Sequence, residues 1–293
     1  MTDNQNNKDL EGLEEHMSSQ FNAEKEEPRY LRGLIDKYIH NTNKILVSRL
    51  HMGTTLKGTS KSMPSYVGKM TFNEVADRVQ MGSDMYFMKS KMDETTKKVT
   101  IDHENVDAIS QRIPDWTRQP DLAGYLSSNN FRKFTTILAV VTPSWVDQPR
   151  HENWSSNGTA LVDAIQFEPL DSKGDVGLIN IIDSGIYALD GQHRVMGIRG
   201  IKELLNGSLE IKNKDGKPLR NQDSEEWMEN YEIDDMTPLK DILLETISIE
   251  FIPAVISGET KPEATERLRN IFYNINTYAK KVDSSEQALF DVQ

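Results

Sequence analysis

Five residues that can bind or transfer charge follow one another near the middle of the chain. They are Asp190, Gly191, Gln192, His193 and Arg194. They stand between an apolar run and apolar residues at helical spacing, so the chain changes there from an extended segment to a helix. Such a junction presents unpaired backbone N–H groups at the positive end of the helix, where anions bind. The sequence therefore predicts an anion site at residues 190–194, and phosphate is the anion that we expect.

Each residue of this DGQHR motif has its own expected role. Gly191 lets the backbone approach a ligand closely, Gln192 offers amide donors, and His193 and Arg194 reach the oxygens of a di- or triphosphate. Asp190 would repel a phosphate, so it could instead hold a divalent metal, orient His193 or activate a water. A plainer alternative stays open: Asp190 caps the helix, Gly191 makes the turn, and His193 and Arg194 lie on the surface.

The segments around the motif predict alternating strands and helices. The helix after the motif is expected to end at Asn206 and Gly207. Residues 53–68 are expected to form a flexible loop, and Asp183–Gly185 a turn between two strands. Strands are predicted within 44–52, 133–143, 160–170, 176–185, 185–191 and the second half of 239–257. Further helices are predicted within 28–39, 69–81 with a cap at Thr71 or Asn73, 105–130 with a break at Pro114, and two separated by a turn within 260–291. This order predicts an α/β or α+β fold with a mixed sheet.

Composition narrows the class of protein. The 293 residues are 37% hydrophobic, enough for a core, and no cysteine is present, which excludes thiolate chemistry by this chain. No apolar run approaches the roughly 20 residues that span a bilayer, and no export signal begins the chain, so we expect a cytoplasmic protein without membrane contact. Residues 1–27 are expected to form a flexible polar arm before one domain at 28–293.

Charge bears on nucleic-acid binding. The formal net charge of −12 opposes non-specific binding to a phosphate backbone. Local basic residues nevertheless occur, and we interpret them as solvated charge rather than as a DNA track. These are Lys57, Lys61, Lys69, Arg118, Arg132 and Lys133.

The motif resembles the signature of the DGQHR-domain proteins, the DndB-like branch of the ParB/sulfiredoxin superfamily. Residues 109–126, "ISQRIPDWTRQPDLAGYL", followed by "KFTTILAVV" at 133–141, resemble the upstream element of that family. Residues 271–291, "IFYNINTYAKKVDSSEQALFD", resemble its downstream segment. Together the similarities extend over roughly residues 70–291, in the order of the family.

This resemblance implies a ParB/sulfiredoxin-type core whose motif cradles the phosphates of a nucleotide, with ATP as the first candidate and Mg²⁺ as its metal at Asp190. Gln192 stands where sulfiredoxins have their cysteine, which excludes their sulfur chemistry and leaves nucleotide binding. The resemblance also implies nucleotide contacts from four residues outside the motif. These are Gln111, Arg112, Asn276 and Lys280. It further implies a carboxyl-terminal helical region, and we expect this sequence to end before it.

Two functions follow from the resemblance. The first is an ATP-hydrolysing protein of a bacterial DNA-modification or anti-phage system, similar to a related ATPase of 7-deazaguanine DNA modification. The alternative is a DNA-binding transcriptional regulator of a phosphorothioation operon without turnover. A nuclease ranks lower, because the clustered carboxylates and histidines of a two-metal site are missing. Expected partners are a nucleotide, DNA and other proteins of the system, and homo-oligomerisation is left open.

Overall fold

The computed structural model describes residues 44–52, 63–85, 114–129 and 131–278. These residues form ten strands and six helices, which confirms the mixed α/β class. The strands are β1 Ile45–Met52, β2 Met63–Thr71, β3 Val79–Met81, β4 Ile137–Pro143, β5 Phe167–Pro169, β6 Val176–Ile179, β7 Ser184–Asp190, β8 Ser208–Lys212, β9 Pro218–Asp223 and β10 Thr246–Pro253. The helices are α1 Phe72–Arg78, α2 Gln119–Ser128, α3 Gln192–Leu205, α4 Ser224–Asn230, α5 Thr237–Ile242 and α6 Lys261–Tyr278. None of these helices combines the length and apolar content that crossing a membrane requires.

Eight strands form one sheet in the order β3-β7-β4-β10-β2-β1-β6-β5. β4 and β10 are parallel, whereas β7 and β2, which flank this pair, each run antiparallel to their neighbour in it. The carboxyl ends of β7 and β2 therefore meet the amino ends of β4 and β10 at one end of the sheet. The motif begins at this end, because Asp190 is the last residue of β7.

The central strands are buried because their β-branched and apolar side chains pack on both faces of the sheet. On one face, Val140, Leu189 and Ile252 share a buried cluster with Leu268 and Phe272 of α6. Alternate residues point to the opposite face. Ile137, Ala139 and Val141 of β4 are fully buried there. The sheet thus has a core on each side, as the continuous apolar run at 133–143 predicted.

Helix α3 packs closely against α2 because glycines line the contact. A Cβ added at Gly197 would lie 2.9 Å from the Cβ of Leu122, and one at Gly200 would lie 3.1 Å from the Cβ of Ala123. Such contacts leave no room for larger side chains, so the two helices are fixed at short range. The prediction that α3 ends at Asn206 is confirmed, since Asn206 is its carboxyl cap.

The predicted cap of α1 is also confirmed. The Thr71 hydroxyl accepts a hydrogen bond from the Glu74 N–H, and the Glu74 carboxylate accepts one from the Thr71 N–H. This reciprocal pair satisfies two N–H groups that a helix start leaves open.

Several local predictions were wrong. The loop expected at 53–68 overlaps β2, which begins at Met63 and buries Tyr66 and Met70 between two neighbouring strands. The turn expected at Asp183–Gly185 is also wrong for Ser184 and Gly185, which already belong to β7. β7 pairs with β3 and β4, while β6 pairs with β5. The strand expected over 160–170 is reduced to Phe167–Pro169.

Two polar segments contain structure that the sequence did not indicate. Residues 212–238 include β9, which pairs with β8 in a separate two-stranded sheet, and α4, which buries Trp227. The first of the two helices predicted within 260–291 extends to Tyr278, so the "NIN" segment at 274–276 lies inside α6. The predicted helix at 28–39, the domain boundary near residue 28 and the second helix after 278 lie outside the described residues.

Candidate functional site

The junction between β7 and α3 forms as the sequence predicted, with Gly191 as the amino cap of the helix. Gly191 has φ 88° and ψ 16°, the left-handed conformation that glycine adopts without strain. No side chain caps α3, so the alternative in which Asp190 caps the helix is wrong. The turn itself, strand to glycine to helix, is common to both interpretations.

Gly191 is required for space as well as for conformation. A Cβ at this position would lie 2.7 Å from Nη1 of Arg194 and 3.1 Å from Cγ1 of Ile137. The backbone therefore passes directly between the guanidinium and the first residue of β4. This close approach holds the start of α3 against the end of the sheet.

The start of α3 keeps hydrogen-bond donors available. The first intrahelical bond runs from the Val195 N–H to the Gly191 carbonyl, at 3.1 Å. Within the described part of the chain, no group accepts a hydrogen bond from the N–H of Gln192 or of Arg194. Two amide donors and the positive end of a 14-residue helix thus lie at one point. This is the arrangement that binds anions at helix starts.

Arg194 is fixed beside these donors by two contacts. Its Nη1 donates to the Thr136 carbonyl at 3.1 Å and lies 3.4 Å from Oδ2 of Asp190. The side chain is 26% exposed, and its Nε and Nη2 have no acceptor among the described residues. An arginine held by one nitrogen can still present the others to an anion. Asp190, in turn, has part of its charge balanced by the guanidinium.

His193 contacts a different part of the molecule. Its Nε2 accepts a hydrogen bond from the Asp115 N–H at 3.3 Å, which requires a neutral ring with its proton on Nδ1. Neighbouring residues of a helix project about 100° apart. His193 therefore faces the segment before α2, while Arg194 faces β4. The structure does not place the imidazole and the guanidinium on the same segment, and a shared phosphate contact stays a prediction.

Asp115 is a site residue that the sequence analysis missed, although it lies in the "RIPDW" part of the upstream segment. Hydrogen bonds from the hydroxyl and the N–H of Thr117, with a further contribution from Lys214, lower the pKa of the Asp115 carboxyl. The group therefore stays ionised close to the ring of His193.

Gln192 is buried rather than presented to solvent. Its side chain lies beside Gly82, where an added Cβ would be 3.7 Å from Nε2 of Gln192. The residue is 8% exposed, and its Oε1 has no hydrogen-bond partner in the described part of the chain. A buried amide oxygen without a donor costs about 1–3 kcal/mol. The start of α3 therefore lacks a donor for Gln192 as well as acceptors for its own N–H groups.

The remaining predicted contacts are only partly placed. Asn276 belongs to the last turn of α6, while Gln111, Arg112 and Lys280 lie outside the described residues. No group of three or more His, Asp or Glu side chains suitable for a metal occurs among residues 44–52, 63–85, 114–129 and 131–278. A Mg²⁺ ion at Asp190 would therefore take its other ligands from phosphates and water, as is usual for this ion.

Fold and site together define a mixed α/β protein in which strand β7 passes through a left-handed glycine into a helix with unpaired N–H groups. The family model of DndB, described as DNA-sulfur modification-associated, matches residues 74–293 of this chain, a range that contains the whole junction. The chain belongs to the DndB family. No curated protein and no solved structure matches it. The finer likeness to ParB and sulfiredoxin proteins stays a prediction.

Proposed function

We propose that the start of α3 binds the phosphates of a nucleoside triphosphate, with ATP as the first candidate, and that the protein hydrolyses it within a DNA-sulfur modification system. One observation carries this proposal: the unpaired N–H groups of Gln192 and Arg194 lie next to a guanidinium that Thr136 and Asp190 hold in place. Membership of the DndB family supports the DNA-modification context.

Each residue of the motif has a separate role in the proposed nucleotide binding. Gly191 keeps the backbone N–H groups accessible, and Nε and Nη2 of Arg194 bind phosphate oxygens. Asp190 holds Mg²⁺ or a water after exchanging its contact with Arg194, a role for which Gln192 is less suited because its amide is buried beside Gly82. A bound Mg²⁺ would supply neutralisation of phosphate charge.

Binding and turnover are tested separately. Unfolding temperatures are measured with ATP, CTP or GTP and Mg²⁺, since a ligand at 100 times its Kd adds about 2.7 kcal/mol of stability. Phosphate release is measured in parallel. Arg194→Ala is expected to abolish the temperature shift and to lower turnover by roughly 10²–10³.

The matched control is Arg220→Ala, which removes an arginine that is also paired with an acid, Glu226, but lies on β9. This variant is expected to bind and hydrolyse nucleotide as the parent does. Parental turnover in the Arg194 variant would contradict the proposal, and so would the absence of any nucleotide-dependent shift in the parent.

A second candidate is DNA binding without turnover, as a regulator. It is favoured by the segment before β4, where the ring of Phe131 is 93% exposed and Lys133 is also exposed. An exposed ring beside a cation can stack on a base while the cation meets the backbone. A mobility-shift assay on operon promoter DNA tests it. Phe131→Ala and Lys133→Gln should weaken binding, whereas Arg194→Ala should not.

A further inference from the structure

The end of the sheet that carries the motif also carries a row of polar side chains on three neighbouring segments. In the register of β10 and β2, Ser248 is directly opposite Lys69. Directly paired residues of antiparallel strands point to the same face. The Ser248 hydroxyl also lies 2.7 Å from the hydroxyl of Thr136, the residue that precedes β4. We call Thr136, Ser248 and Lys69 the sheet-end row.

This row continues directly from the proposed phosphate site. The carbonyl of Thr136 accepts the hydrogen bond from Nη1 of Arg194, so the first member of the row touches the motif. Neighbouring strands are about 4.8 Å apart, which puts the Cα atoms of Thr136 and Lys69 about 10 Å apart. Arg194 and Lys69 therefore stand at the two ends of a line of hydroxyl groups.

The charges along the row favour an anion. Lys69 is exposed, and no carboxylate of the described residues forms an ion pair with it. The nearest acid on its face of β10 is Glu250, which is opposite Val67 rather than opposite Lys69. Glu245 and Asp190, which also lie at this end of the sheet, are already paired with arginines. The far end of the row thus carries a positive charge that no ion pair of the described residues balances.

Resting on the proposed function, we infer that the sheet-end row extends the nucleotide site and that Lys69 binds the terminal phosphate of a nucleoside triphosphate. The phosphate chain would run from the start of α3 over the hydroxyls of Thr136 and Ser248 to the ammonium group of Lys69. A lysine suits this position, because its ammonium group is a compact positive charge at the end of a long, flexible side chain. Lys69 is then a specificity-determining residue that separates triphosphates from monophosphates.

The experiment compares ATP, ADP and AMP by isothermal titration calorimetry on the full chain with Mg²⁺. Lys69→Gln is expected to weaken ATP binding by roughly tenfold, since losing a charged hydrogen bond costs about 1.5 kcal/mol or more. AMP binding should stay within about twofold of the parent. Lys173→Gln serves as control. Lys173 is an exposed lysine in the turn between β5 and β6, the last two strands of the sheet order on the side away from β7. Because Lys69 is exposed, its variant should also keep the parental unfolding temperature.

The outcomes separate the two proposals. If the parent binds ATP and Lys69→Gln binds it equally well, the row is wrong and the phosphate site at α3 stands. Equal losses for ATP and AMP would also overturn the inference, because Lys69 would then not read the terminal phosphate. A parent that binds no nucleotide overturns both. Loss of salt-sensitive DNA binding in Lys69→Gln, with nucleotide binding intact, would assign the row to DNA and would overturn the inference.

Discussion

Replacing Gly191 by alanine tests the geometry of the junction at its tightest point. The substitution has two costs in this structure. The first is the left-handed conformation at φ 88°, which costs an L-residue about 1–2 kcal/mol. The second is the new Cβ, which would lie 2.7 Å from Nη1 of Arg194 and would displace it from Thr136 and Asp190. Because the arginine is partly exposed, losing these contacts costs about 1 kcal/mol.

Gly158→Ala isolates the second cost. Gly158 has φ 79°, but an added Cβ there meets nothing within 4 Å. Both variants pay the cost of a left-handed alanine, and both lower the conformational entropy of the unfolded chain. We therefore expect a loss of about 2–3 kcal/mol at Gly191 and about 1–2 kcal/mol at Gly158. In an Arg194→Ala background the difference should shrink, because the guanidinium is gone and only the 3.1 Å approach to Cγ1 of Ile137 remains.

Urea and thermal unfolding measure these differences, with roughly 2–4 °C expected per kcal/mol for a chain of this size. Nucleotide titration gives a second readout, in which Gly191→Ala weakens binding and Gly158→Ala does not. Equal losses of stability in the two glycine variants would show that Arg194 is not held against Gly191.

Three further predictions concern groups away from the junction. Arg267→Ala should cost about 3–5 kcal/mol in urea unfolding, because it leaves the buried Glu259 carboxylate without the guanidinium that binds both its oxygens. Burial, then the nearby Asp121, raises the pKa of Tyr231 to about 12. Since the unfolded tyrosine ionises near pH 10, its contribution to stability should be complete below that pH and fall as pH rises towards 12, and Tyr231→Phe should reduce this alkaline loss. Arg199→Met should cost about 1–3 kcal/mol by calorimetry, because the carbonyls of the α1–β3 segment lose its two hydrogen bonds.

The elements that the sequence predicted well are those that can be recognised from the pattern of their own residues. Helix α3 has apolar residues at helical spacing and a stop at Asn206–Gly207, and both features were confirmed. β4 is a nearly continuous apolar run and β10 alternates apolar with polar residues, and either pattern indicates a strand without reference to a partner. The cap at Thr71 is likewise local, since the residues that satisfy it lie three positions apart.

Other elements depend on pairing with strands that are distant in the sequence, and their own residues do not indicate these partners. β2 contains Pro64, Gly68 and Lys69, which favour a loop, yet it lies between β1 and β10 and is stabilised from both sides. The β8–β9 hairpin is polar because it lies outside the main sheet, so its residues lack the alternation that marks a half-buried strand.

The same distinction applies to the candidate site. The strand, glycine and helix of the motif are consecutive, and their local geometry was predictable. The orientation of His193 was not, since its contact with Asp115 joins residues 78 positions apart. The Arg194 contact with Thr136 spans 58 positions and fixes which side of the helix faces the sheet end. Burial of Gln192 beside Gly82 likewise depends on the pairing of β3 with β7.

The two outermost strands of the main sheet bear on how copies of the protein could associate. β3 and β5 have three residues each, and β5 ends in Pro169, which has no N–H to donate. A second chain that added a strand at either edge of the described main sheet could pair with only a very short edge strand. We therefore expect self-association through the main sheet, where it occurs, to use side-chain surfaces, and this sheet to resist the strand-to-strand aggregation that long open edges promote.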